Sequence, residues 1–134
     1  MSVTLSDQDK LTLRVAAWGA VSLMSAAGAA GSAHKVATDG SIALTSATGL
    51  VGHVLTKAPK GVKYGKSVAE LADVVLPALP AAMRLLKRQD PAEADNFRNT
   101  VIVAIEAAAR THQGRPSPTL ADMIRKITAA LDAA

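Results

Sequence analysis

Cysteine is absent from the chain, so disulfides, a thiolate nucleophile and a cysteine-ligated zinc are excluded together. That usage suits a cytoplasmic protein. Aromatic residues are scarce as well: Trp18, Tyr64 and Phe97 are the whole complement, in a sequence whose apolar half is dominated by alanine. A core of Ala, Val, Leu and Ile lets helix backbones approach closely. It fits poorly between the sheets of a β-sandwich, which aromatic and β-branched residues usually fill. An all-α fold is expected. Histidine is limited to His34, His53 and His112, with no H-E-x-x-H, no pair at i, i+4 and no Glu-x-x-His from two helices. No metal centre or other cofactor is therefore expected. A secretory signal would open on a positive stretch, whereas this sequence carries Asp7 and Asp9 there; no targeting segment is read.

What is present first is a repeat. Arg14 to Gly31 and Lys35 to Gly52 align without a gap at an offset of 21, sharing the pattern [RK]-V-A-[AT]-x-G-[AS]-[VI]-[AS]-L-x-S-A-[AT]-G-x-x-G, with eight of eighteen columns identical. The pattern reads as a tandem duplication of segments 14–34 and 35–55. A length of 134 residues implies one domain with one core. The expected architecture is a single-domain five-helix bundle over residues 1–134, in which a duplicated N-terminal helical hairpin packs against three C-terminal helices.

The helices follow from caps and periodicity. Ser6-Asp7-Gln8-Asp9 is an N-cap with acids in the first turn, where they meet the positive end of the helix dipole. From Val15 onward the first helix is uncharged on every side, as in a helix buried all round. The second copy predicts one helix from about Gly40 to Leu55. Its small-residue row of Ser41, Thr45, Gly49 and Gly52 is expected to pack closely on Ser22, Ala26 and Ala30 of the first. Such a surface could also pair with its own copy on another chain. Ser67-Val-Ala-Glu70 is a capping box, followed by a stripe of Val68, Leu71, Ala72, Val75, Leu76 and Leu79. Pro77 and Pro80 each remove a helical N–H and clash with the preceding turn, which predicts a kink or break near Leu76 to Leu79. Asp90-Pro91-Ala92-Glu93 starts a fourth helix running to about His112, with Phe97, Val101, Ile105 and Ala108 inward. Ser117-Pro118 starts a fifth, its stripe of Leu120, Met123, Ile124, Ile127 and Leu131 lying opposite Asp122, Arg125, Lys126 and Asp132.

Charge is informative by location. Residues 1 to 56 balance three acids against three bases, residues 67 to 134 balance eight against eight, and the formal excess of +4 sits wholly in Lys57-Ala-Pro-Lys-Gly-Val-Lys-Tyr-Gly-Lys66. Proline and glycine make this segment a loop. Lys57, Lys60, Lys63, Tyr64, Lys66 and Ser67 are the candidate residues for binding a partner or an anion, whether an acidic protein or another anionic partner. Gly61 to Ser67 resembles a P-loop only superficially: it is one residue short of G-x-x-x-x-G-K-[ST], and no strand precedes it. Lysines before a helix N-terminus can hold a phosphate, although Ser67 and Glu70 compete for the same N–H groups. Nucleic acid is disfavoured, because Tyr64 is the one stacking ring near the patch and the flanks are neutral.

No catalytic constellation emerges, since neither a nucleophile on a strained turn nor a paired acid and base can be assigned. The expectation is a non-enzymatic helical protein acting by self-association, as a homo-oligomer, and by binding a partner through the basic segment or a helical face. Two alternatives are carried. Val15 to Ala33 and Gly40 to Thr56 are uncharged runs of nineteen and seventeen residues, near bilayer-spanning length, which would suit a membrane-associated hairpin; their Ala, Gly, Ser and Thr content argues against it. A small apolar-ligand or anion-binding protein would use a pocket near Pro77 to Pro80.

Overall fold

A computed structural model describes residues 5–27, 41–57, 59, 67–109 and 118–134. Its helices are α1 (Asp7–Ala27), a short α2 described over residues 41–45, α3 (Gly49–Leu55), α4 (Val68–Gln89), α5 (Pro91–Ala109) and α6 (Pro118–Asp132). The class is all-α.

α1 is the axis of the molecule. It packs against α3, α4, α5 and α6, most extensively against α4, in keeping with the uncharged circumference of its part from Val15 onward. Leu13, Ala16, Ala17, Ala20, Leu23 and Met24 are completely buried. Its start is a reciprocal capping box: the Asp9 N–H donates to Ser6 Oγ (3.0 Å) and the Ser6 N–H to Asp9 Oδ2 (3.2 Å), satisfying two donors that a helix start leaves open. Close approach occurs at Gly19, where a Cβ would collide with the side chain of Val75 on α4. The small residues of the first repeat thus serve contact with α4. Ser22, assigned to the hairpin contact, is exposed.

The second copy departs from the expected single helix. Residues 41–45 are helical, Ser46 turns, Ala47 and Thr48 are non-helical, and Gly49 opens α3 at φ +76°. The corresponding columns of the first copy, Ser25 to Ala27, are helical, so one sequence pattern takes two conformations. Thr45 Oγ1 donates to the Ser41 and Ile42 carbonyls and Ser46 Oγ donates to the Ile42 carbonyl at 2.7 Å, back-bonding that weakens a helix slightly; unbroken α1 carries the same bonds at Thr12 and Ser22, so the break also needs the Asn96 and Glu93 side chains of α5, which bond the Thr48 carbonyl and the Val51 N–H. Gly49 then supplies the left-handed residue that lets the chain turn.

α4 departs in the opposite sense. It runs unbroken through Pro77 and Pro80. Each proline costs a helix about 3 kcal/mol, but Val75, Leu79, Leu86 and Ala82, on both sides of the prolines, are completely buried. Pro77 is exposed, where the carbonyl it leaves without a partner can be hydrated. Tertiary packing outweighs the local penalty. Val68, expected on the buried stripe, is 42% exposed.

α5 and α6 match the sequence reading closely. Asp90 precedes α5, its Oδ1 accepting from the Ala92 N–H at 3.1 Å, and Phe97, Val101, Ile105 and Ala108 are completely buried. On α6, Leu120, Ile127 and Leu131 join the same cluster, which draws apolar residues from every helix. Arg98 of α5 and Asp132 of α6 close the outer edge as a two-bond ion pair at 2.8 and 3.3 Å.

Candidate functional site

In the sequence the basic segment follows α3 and precedes α4, and Lys57 and Pro59 are its described residues. α3 is too short, at seven residues, to stand by propensity alone, and its stability comes from neighbours at both ends. At its N-terminus, Thr48 makes no side-chain cap. The Val51 N–H donates to Glu93 Oε2 of α5 at 3.1 Å, and Asn96 Nδ2 donates to the Thr48 carbonyl at 2.9 Å and to Glu93 Oε2 at 3.3 Å. A carboxylate therefore sits at the positive end of the α3 dipole. At the C-terminus, Arg14 Nε donates to the Val54 carbonyl (3.0 Å) and Trp18 Nε1 to the Leu55 carbonyl (3.2 Å), placing a cation at the negative end. Both ends are held by side chains about forty residues away in sequence.

Lys57 follows this clamp directly and is exposed. Ser67, the last of the sequence-derived candidates, is the N-cap of α4: its Oγ accepts from the Glu70 N–H at 3.1 Å. That bond occupies one of the donors an anion at this terminus would use. Lys60, Lys63, Tyr64 and Lys66 lie outside the described residues, as do His34 and His112. His53, on α3, is exposed. Among the described residues, no group of three His, Asp or Glu side chains could hold a metal ion, and no helix is long and apolar enough to cross a membrane.

Two open grooves mark the helical faces. One, of about 390 Å³, lies between α1 and α4 and is lined by Gln8, Leu11, Thr12 and Val15 on one side and Val74, Pro77, Ala78 and Ala81 on the other. Among the described residues, no charged side chain lines it. Its location coincides with the Pro77 to Pro80 stretch where the sequence suggested a pocket. The other, of about 290 Å³, lies between the α2–α3 connection and α5, with Ala43 and Ala47 against Asn96, Asn99, Thr100 and Val103; Val103 is 51% exposed at its rim. Thr100 is already satisfied, donating to the Asn96 carbonyl at 2.7 Å.

Sequence reasoning missed Arg14, Trp18, Glu93 and Asn96 as the residues that fix the start of the basic segment. Glu93 looked like part of the start signal of its own helix, and no local pattern announces that its carboxylate serves α3 instead. No protein-family model matches the chain, and comparison with curated proteins and with solved structures likewise finds no match.

Proposed function

We propose that this chain is a non-catalytic helical module that associates with a second copy of itself and presents Lys57 to Lys66 to an acidic protein partner. The observation that carries the reading is the α1–α4 groove. It is a surface of apolar and uncharged residues, with Leu11, Val74 and Ala81 half-buried and Pro77 exposed. An uncharged face does not repel its own copy, which is the first requirement of an isologous contact. The basic segment supports the second half of the reading. It holds the whole charge excess of the chain, and it follows a helix clamped at both ends, with its first lysine exposed two residues beyond that helix.

The test is the absolute mass of the protein in detergent-free buffer, by light scattering across a concentration series. A defined dimer or larger closed species supports self-association; a monomer throughout the series removes it. A monomer whose melting temperature rises with a small apolar compound would turn the same groove into a ligand site. For the basic segment, Lys60→Glu combined with Lys63→Glu should leave the helical circular dichroism unchanged and weaken salt-sensitive binding to poly-glutamate. Unchanged binding and unchanged salt dependence would take the segment out of the interface.

A further inference from the structure

The exposed face of α4 carries a charge pattern that is its own complement when reversed, and we infer that the second copy docks there, α4 antiparallel to α4, about a two-fold axis at Ala78 to Leu79. The inference rests on the self-association proposed above and names its surface. At 100° per residue, Glu70, Asp73, Val74, Pro77, Ala81, Arg84 and Arg88 share one side of the helix. Glu70, Asp73, Pro77, Arg84 and Arg88 are exposed, and Val74 and Ala81 are half-buried. The opposite side, with Val75, Leu79, Ala82 and Leu86, is completely buried in the core. Read from the N-terminal end, the exposed side runs acidic, apolar and small, then basic.

In an antiparallel pair, residues whose numbers share one sum face each other. Position 77 meets 81, 74 meets 84, and 70 meets 88, all with the sum 158, while 73 and 84 sum to 157. The register that puts Pro77 and Ala81 at the centre brings Glu70 opposite Arg88 of the second copy and sets Asp73 one residue, about 1.5 Å along the axis, from the level of Arg84 on the same side of the helix, within reach of its long side chain. A two-fold axis generates each pair twice. The charged ends lie about 27 Å apart at 1.5 Å per residue, with the small side chains of Ala78 and Ala81 between them, so two helices can approach at the centre. A parallel pairing would set acid against acid and base against base. The charges thus select the antiparallel arrangement, and the uncharged α1–α4 groove runs alongside it as the apolar part of the interface. Opposed charges at a rim act chiefly on orientation and association rate.

The pairing is tested by charge exchange, read by light scattering and analytical ultracentrifugation, with circular dichroism verifying each fold. Asp73→Arg alone and Arg84→Asp alone each turn two attractive contacts into repulsive ones and should weaken the dimer by roughly ten- to a hundredfold. The double variant, Asp73→Arg with Arg84→Asp, restores both contacts in reverse and should dimerise like the unmodified chain. Mixing the two single variants should give a heterodimer, because one chain is then basic at both positions and the other acidic at both. A wild-type dimer indifferent to all three variants would place the interface elsewhere and leave self-association standing. Failure of both the double variant and the mixture to restore dimer would overturn the antiparallel register, and a wild-type chain that stays monomeric would overturn this inference and the self-association together.

Discussion

Gly49 and Gly52 show how a residue can matter for reasons its pattern does not announce. In sequence both belong to a small-residue row, which suggests close helix contact. In the structure Gly49 is needed for handedness, at φ +76°, and for room, since a Cβ would lie 2.9 Å from Glu93 Oε1. Gly49→Ala should therefore cost about 1–2 kcal/mol from the left-handed backbone alone. Gly52 is more restrictive, because its Cβ would run into the carbonyl of Ala47, and backbone cannot rotate away as a side chain can. Gly52→Ala should cost about 3 kcal/mol, against about 0.5 kcal/mol or less for Ala129→Leu on an exposed position of α6. Chemical denaturation of the three variants checks the order; a Gly52→Ala variant as stable as Ala129→Leu would refute the close approach. The acids at the outer edge carry a separate prediction. The Arg98 guanidinium, through its hydrogen bond and then its charge, holds the Asp132 carboxyl below its ordinary value, and Lys126 followed by Arg125 does so for Asp122. The unfolded chain then binds protons first as pH falls, so the stabilisation is complete above the ordinary carboxylate value of about 4 and is lost on descending through the lower folded value. Asp132→Asn should lower stability slightly at neutral pH and converge with wild type in acid. Parallel curves for the two proteins from pH 7 down through pH 2 would contradict it.

Among the elements, those whose signals are local were legible. The starts of α1, α4, α5 and α6 are written in Ser6 to Asp9, Ser67 to Glu70, Asp90 to Glu93 and Pro118, and their inward stripes follow the helical period. The second repeat was not legible. Its break at Ser46 to Gly49 depends on Glu93 and Asn96, whose bonds to it cross more than forty residues, and a periodicity argument cannot see a cap supplied from another helix. The continuity of α4 was hidden for the converse reason, since the burial that offsets its two prolines is a property of the assembled core. Each mechanism predicts a variant. Glu93→Ala removes the acceptor of the Val51 N–H and the partner of Asn96, and should cost about 1.5–3 kcal/mol, the range for hydrogen bonds to charged groups. Trp18→Phe, which keeps a six-membered aromatic ring but loses the indole N–H bond at the other end of α3 and part of the packing against the core, should cost about 0.5–1.5 kcal/mol for the bond plus a small packing loss. Equal losses for the two would mean that charge at the α3 N-terminus contributes nothing beyond an ordinary bond. Pro77→Ala restores an N–H for the Asp73 carbonyl on an exposed turn, and should raise stability by about 1–3 kcal/mol; a variant less stable than wild type would show that the ring itself is needed against α1.

At the scale of the whole molecule, the candidate site was legible as charge and hidden as geometry. Counting residues located the basic excess, but the clamp that anchors it and the charge order along α4 become functional statements only once the fold shows which side of α4 faces outward. The order Glu70, Asp73, Arg84, Arg88 stands in the sequence, yet a solvated, self-contained helix would carry the same charges. Exposure of that side beside an uncharged groove is what points to a second copy. If the copy docks there, folding and association are linked, and the linkage has a signature independent of any mass measurement. A dimer that unfolds to separate chains gains stability with concentration, so its melting temperature should climb as protein is added. Salt should work against that climb, because the opposed charges at the rim are screened within about 10 Å at 0.1 M ionic strength. Arg84→Asp should shift the climb to roughly ten- to a hundredfold higher protein concentration, while Asp73→Arg with Arg84→Asp should return it to the wild-type range. A melting temperature that ignores concentration for wild type and variant alike would mean that the groove is not filled by this chain. The uncharged surface between α1 and α4 would then be open to a smaller ligand, and apolar compounds titrated against the melting curve become the next probe.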